Sequence, residues 1–346
     1  MNQLPNPGDF TPEGEERAAV DWMRVLSKYR EPHHGWSMLE IAWTFIPFIM
    51  FWLAAWYSFA ISPAISVALC VPSAFFLVRL FAIQHDCGHG AFFRTKGLND
   101  WVGRFLGVLT LTPYDVWRQA HILHHAGSGN LDKRGIGDIK TLTISEYKAR
   151  GFWGKLTYRA YRNPVIMFVV GPAYIFLLDN RLPWNFFKAG AKYWISAMGT
   201  NVGILIVAAI LTYAMGPAAF FTIFLCTTAM AAAIGVWLFY IQHQFEETIW
   251  DNGEEWQLHE AALYGSSHYD LPVMFRWLTA NIGIHHVHHL YSKIPFYRLT
   301  RVLKDNPSLA EIRRLTFVES LKCVNLQLWD EDNRKLVSFA QARAAY

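Results

Sequence analysis

The chain has 346 residues, is 53% hydrophobic and 16% aromatic, and only 17% of its residues are charged. A soluble domain is nearer a quarter charged, so the composition points to a membrane protein. The net charge of +4 at pH 7 and the four scattered cysteines leave no place for a nucleic-acid partner, a disulfide framework or a CxxC metal knuckle.

In chain order, Met1 to Arg17 is polar and rich in Pro, Gly and Glu. It reads as the start of a mobile arm over residues 1–37, not as a cleaved signal. A membrane domain is expected over 38–346. Its first spans are Ile41–Ile61 and Pro63–Ile83, each near the roughly 20 residues that cross a bilayer, with Ser62-Pro63 turning the hairpin 41–83. HDCGH follows at 85–89. Trp101–Pro113 is too short to be a span and suits an interfacial or buried helix. HILHH lies at 121–125, and the loop Leu131–Arg162 carries eight Lys and Arg. That loop suits contact with anionic head groups or, alternatively, docking of an acidic redox partner. Pro164–Leu178 is again short. A second hairpin, 196–241, comprises Ser196–Gly216 and Pro217–Ile241, and HHVHH falls at 285–289 inside a region 242–346.

With four spans, all three boxes emerge on one side. No Lys or Arg lies at either hairpin turn, so the positive-inside rule makes the box side, the basic loop and both termini cytoplasmic. The expected fold is all-α: an integral membrane protein of four transmembrane helices in two hairpins, with a cytosolic helical cap holding a histidine-rich di-metal site. The bacterial inner membrane is the expected location.

Residues three and four apart share a helix face, so His85 and His89, then His121, His124 and His125, then His285, His288 and His289 converge in groups. Imidazole suits zinc, copper, iron and nickel alike. Eight ligands exceed two catalytic zinc sites and would close two structural ones; two non-haem irons with open positions fit better. His243, just past the fourth span, is expected as a ninth ligand. Asp86, Asp270, Glu246 and Glu247 are candidates to accept the free ring N–H. His268 and His286 are placed beside the ligands or at the substrate entrance. Trp117, four residues before His121, either shapes an acyl tunnel or anchors at the head groups. Cys87 is expected to pack, and His33, His34 and His259 to be surface residues.

The three boxes, their order and the flanking hairpins resemble the integral-membrane fatty acid desaturases over about Ile41 to Arg301. HDCGH looks like the acyl-lipid branch, and FYIQHQFEE (Phe239–Glu247), GSSHYDLP (Gly265–Pro272) and NIGIHHVHHL (Asn281–Leu290) look like its bacterial omega-6, delta-12-type members. The resemblance implies a di-iron centre that uses O₂ and two electrons to remove two hydrogens from a saturated, lipid-linked acyl segment. No HPGG haem motif and no cysteine-ligated iron site occurs, so a separate ferredoxin, rubredoxin or cytochrome b5-like donor is expected. A hydroxylase or ketolase of carotenoids or alkanes shares the box plan. A metal transporter is disfavoured, because transport sites lie near the bilayer midplane.

Overall fold

The computed structural model describes residues 22–344, and their contacts divide them into two compact units. A helical unit comprises His33–Ile122 and Leu156–Phe239. A mixed unit comprises Leu123–Lys155 with the described parts of Met1–Pro32 and Tyr240–Tyr346.

In the helical unit, the first hairpin is the pair of helices His34–Phe59 and Pro63–His89. The first opens on His33, whose ring accepts from the Trp36 amide at 3.2 Å. The second opens on Pro63, where a missing N–H costs nothing. The pairing is inverted relative to a soluble bundle. Ser37, Glu40 and Thr44 face inward and are buried, while Trp43, Met50 and Tyr57 face out. In lipid, hydrocarbon solvates the apolar face and polar side chains must find partners between helices. Arg79 does so: it is buried, pairs with Glu40, and donates from Nε to Thr44 Oγ1 at 3.0 Å. The second helix runs past the expected end at Ile83 to His89, so box one rides on its last turns. Gly90 ends it at φ 66, with Gly90 N bonding to Cys87 O and Ala91 N to Asp86 O. That pair of bonds is the Schellman stop, whose left-handed residue favours glycine.

The second hairpin is Ala191–Met215 and Pro217–His243, turned at Gly216 with φ 80. A fifth stretch, Ile166–Phe186, is also long and apolar enough to cross a membrane, beyond the four spans expected. It is not one α-helix. It joins a π-turn (Ile166–Val170), a short α-helix (Gly171–Leu177) and two 3₁₀ turns. Its π and α parts together rise about 18 Å at 1.5 Å per residue, short of the roughly 30 Å hydrocarbon layer. The helices Lys96–Leu109 and Tyr114–Gly127 complete the approach to box two. Gly103 leaves room for the Tyr114 ring, whose carbon would lie 2.2 Å from an added Cβ.

The chain is mostly helical, as expected, and the mixed unit adds a few short strands to it. Leu328–Asp330 pairs in parallel with Leu142–Thr143 and antiparallel with Lys335–Val337, and His268–Asp270 pairs in parallel with Arg314–Thr316. Strands of two or three residues are too short for an alternating pattern to show in sequence. Residues 1–21 of the expected arm lie outside the described residues. From there the chain is packed: Leu26 is fully buried, and Tyr29 donates to Asp305 at 2.9 Å.

Candidate metal centre

In the helical unit, His85 and His89 share one face of the Pro63–His89 helix, and His121 comes from the helix Tyr114–Gly127. The ring centroids of the three lie 4.7–4.8 Å apart, and His89 and His121 bring their Nε2 atoms within 2.9 Å. His85 Nδ1 faces Asp86 Oδ1 at 3.2 Å, where the sequence expects a partner. Trp117 stacks on His121 at 4.7 Å and 15°, meets Phe81 edge-on, and lies 5.7 Å from His85. It is therefore held against the histidines. Gly88 makes this possible, since a Cβ there would sit 2.8 Å from Trp117 Cζ3. Cys87 is buried, and its carbonyl accepts from the Tyr114 hydroxyl at 2.8 Å, a packing role as expected.

The unit boundary falls inside the box-two helix, so His124 and His125 belong to the mixed unit. There His124, His243, His285 and His289 converge, each offering one ring nitrogen within 4.8 Å of the others. His243 Nε2 lies 3.2 Å from His124 Nε2 and 3.0 Å from His285 Nε2, which is itself 3.0 Å from His289 Nε2. One imidazole nitrogen has a single lobe, as donor or as acceptor, so a chain of shared Nε2 contacts cannot be satisfied by hydrogen bonds alone. A cation satisfies it. A set of neutral imidazole nitrogens suits a transition-metal ion. His125 and His288, in the same unit, bring their Nε2 atoms within 3.1 Å, and His125 stacks on His289 at 4.1 Å.

The ring nitrogens behind the cluster are held so that Nε2 faces inward. His124 Nδ1 meets Asp138 Oδ1 at 2.6 Å, both side chains buried. His243 Nδ1 donates to Gly265 O at 3.2 Å. Such partners fix the tautomer and raise ligand basicity. Burial first, and then the rings of His125, His285, His243 and His124, hold the His289 pKa well below its ordinary value, which keeps its lone pair available.

Asp138 escapes sequence reasoning, since nothing in GIGDIK marks it, and it reaches His124 only through the fold. Other expected partners lie elsewhere. Asp270 pairs with Arg314 at 2.7 Å, Glu247 with Arg313 at 2.8 Å and Glu246 with Lys335 at 3.9 Å. Each takes a nearby cation in place of an imidazole. His268 and His286 also turn away from the cluster, toward consecutive carbonyls: His268 Nδ1 donates to Ala310 at 2.6 Å and His286 Nε2 to Leu309 at 2.8 Å. Burial, ahead of the neighbouring His268, pulls His286 down to about 3. They brace the segment after Asn306. His259 is half-buried in the helix Leu258–Tyr264.

Comparison with known proteins agrees with this geometry. A family model described as fatty acid desaturase matches residues 62–319. A fatty acid desaturase of Bacillus subtilis (strain 168) is 43% identical over 91% of this chain and 89% of its own. An sn-1 acyl-lipid omega-3 desaturase (ferredoxin) of Synechocystis sp. is 30% identical over 68% of this chain and 66% of its own. An sn-1 oleoyl-lipid 12-desaturase of the same organism is 25% identical, with 66% of each chain covered. Clustered histidines, some at the ends of long apolar helices, with this family model spanning most of the sequence, have one reading: the chain is a membrane enzyme of the fatty acid desaturase family.

Proposed function

We propose that this desaturase introduces a double bond into a long-chain acyl group carried on a membrane lipid, at a non-haem di-iron centre fed by a separate electron donor. The convergence of His124, His243, His285 and His289, four imidazole nitrogens with no carboxylate among them, carries the reading. These four would hold one iron, His243 being the ligand outside the boxes, and His85, His89 and His121 of the helical unit would supply ligands to the second. When bound, the irons supply reductive activation of O₂. The chain's own residues do the rest. Asp138 and the Gly265 carbonyl orient His124 and His243. Trp117 packs against His121 and His85 and holds their rings in place.

An omega-6, delta-12-type outcome is the regiochemistry the sequence motifs favour, and one 12-desaturase stands among the relatives. Two relatives are named for ferredoxin, which makes a ferredoxin-like protein the donor proposed here. The four-span topology, with boxes and termini cytoplasmic, is proposed from the charge distribution and from the broken helicity of Ile166–Phe186. The test is gas chromatography–mass spectrometry of derivatised fatty acids from a host expressing the gene. A new mono- or diunsaturated acid with one defined bond position is expected in air and none without oxygen. A hydroxylated or ketonic product, or no oxygen dependence, would refute the proposal.

A further inference from the structure

Beside box two, the helical unit carries a group of charges that the iron chemistry does not use. Asp100 and Asp115 are both buried, and each is met by two cations. Lys96 Nζ lies 2.6 Å and Arg118 3.0 Å from Asp100; Arg104 Nε lies 3.1 Å and Lys192 Nζ 3.2 Å from Asp115. One cation suffices to neutralise a buried carboxylate, so each aspartate holds a second as surplus. That surplus is displayed outward: the side chains of Lys96 and Lys192 are 79% and 60% exposed.

The same helix, Lys96–Leu109, is amphipathic in the reverse sense to a soluble one. Its buried face holds Asn99, Asp100, Leu106 and the small Gly103 and Gly107, while Leu98, Trp101 and Phe105 point out, Trp101 being 70% exposed. The Arg104 guanidinium lies over the Trp101 ring at 5.2 Å. A helix with an outward aromatic stripe and cations along its edge lies in the plane of a membrane interface, with the stripe among acyl chains and the cations at the phosphate level. Arg118 joins this group to the centre, one helical turn before His121 on the box-two helix.

We propose that Lys96, Arg104, Arg118 and Lys192 form a docking site for the phosphate of a membrane glycerophospholipid, the lipid whose acyl chain is presented to the histidines. The site rests on the acyl-lipid reading above and deepens it by naming the polar head that is recognised. An acidic electron-donor protein would also be drawn to these cations. The outward Leu98, Trp101 and Phe105 favour lipid, because hydrocarbon covers such a stripe without a partner protein.

Lys96→Gln and Lys192→Gln each leave a second cation on the aspartate, so the pair of substitutions removes the surplus while the buried carboxylates stay neutralised. The detergent-purified full-length protein is titrated with phosphatidylglycerol and, separately, with diacylglycerol, and retained lipid is read by native mass spectrometry. Wild type should retain phosphatidylglycerol in strong preference to diacylglycerol. The double variant should lose about fivefold in affinity per charge removed, with iron content unchanged. Equal retention of the two lipids by wild type, or an unaltered affinity in the double variant, would overturn the site. So would a double variant that keeps its lipid affinity but needs more ferredoxin for half-maximal turnover, which would make the patch a donor dock. Lipid retention is read without turnover, so a failed lipid site is distinguishable from a failed di-iron assignment.

Discussion

Replacing Asp138 tests whether the residues behind the histidines tune the metal. Its Oδ1 lies 2.6 Å from His124 Nδ1, and both side chains are buried. Asp138→Ala removes this acceptor from a ring that must point Nε2 at the metal, and losing such a buried hydrogen bond costs about 1–3 kcal/mol. Losing the partner of a metal-bound imidazole lowers metal affinity by roughly 10–100-fold, or about 1.4–2.7 kcal/mol. The two estimates coincide, so Asp138→Ala should shift iron release about a hundredfold, and Asp138→Asn, which keeps an acceptor oxygen, about tenfold. The assay is iron retained per chain against graded free chelator, with thermal unfolding of the iron-free proteins as the control for folding. If Asp138→Ala gives up iron at the wild-type chelator midpoint while folding normally, the orienting role is wrong.

His243→Ala should lose desaturation and a substantial part of the iron, whereas His259→Ala, whose ring is not among the converging imidazoles, should keep both; an active, fully iron-loaded His243→Ala would remove the ninth ligand. Gly88→Ala should displace the Trp117 indole from His121 and cut turnover on the order of a hundredfold, and Trp117→Leu, which removes the indole outright, should show a comparable loss. Full activity in either variant would mean that the stacking is dispensable. His268 supplies a pH test. Burial holds its pKa below the ordinary value, and a second proton would have to sit on Nε2, which is buried with no acceptor. The unfolded chain therefore binds more protons below about pH 6.5, so this contribution to stability is full above that pH and falls as pH drops toward the folded pKa. Thermal unfolding of His268→Leu between pH 7.5 and 5 should slope less steeply than wild type, and equal slopes would contradict this.

Both hairpins were legible because apolar runs of about 20 residues and the breakers Ser62-Pro63 and Gly216-Pro217 are local signals. So were the boxes, since helical spacing alone puts His85 beside His89. The helix end at His89 needed Gly90 as well, and its left-handed φ belongs to the folded backbone. What stayed hidden is what the chain brings together over distance. Asp138 meets His124 from fourteen residues away in a loop of no marked pattern. Asp270 carries the same carboxyl group that the expectation required, yet Arg314, on the strand paired with its own, takes it first. His286 lies among ligands in sequence, but its place on a short helix aims it at Leu309. The buried Glu40–Arg79 pair could have been noticed as charges within apolar runs, since intramembrane ionisable groups rarely lack a partner.

The central claim, two irons held by imidazoles, is tested most directly by metal counting together with X-ray absorption on the purified enzyme. Two irons per chain with a nitrogen-dominated first coordination shell are expected, falling in His285→Ala. A single iron, a full complement of zinc, or a shell dominated by carboxylate oxygen would contradict the account.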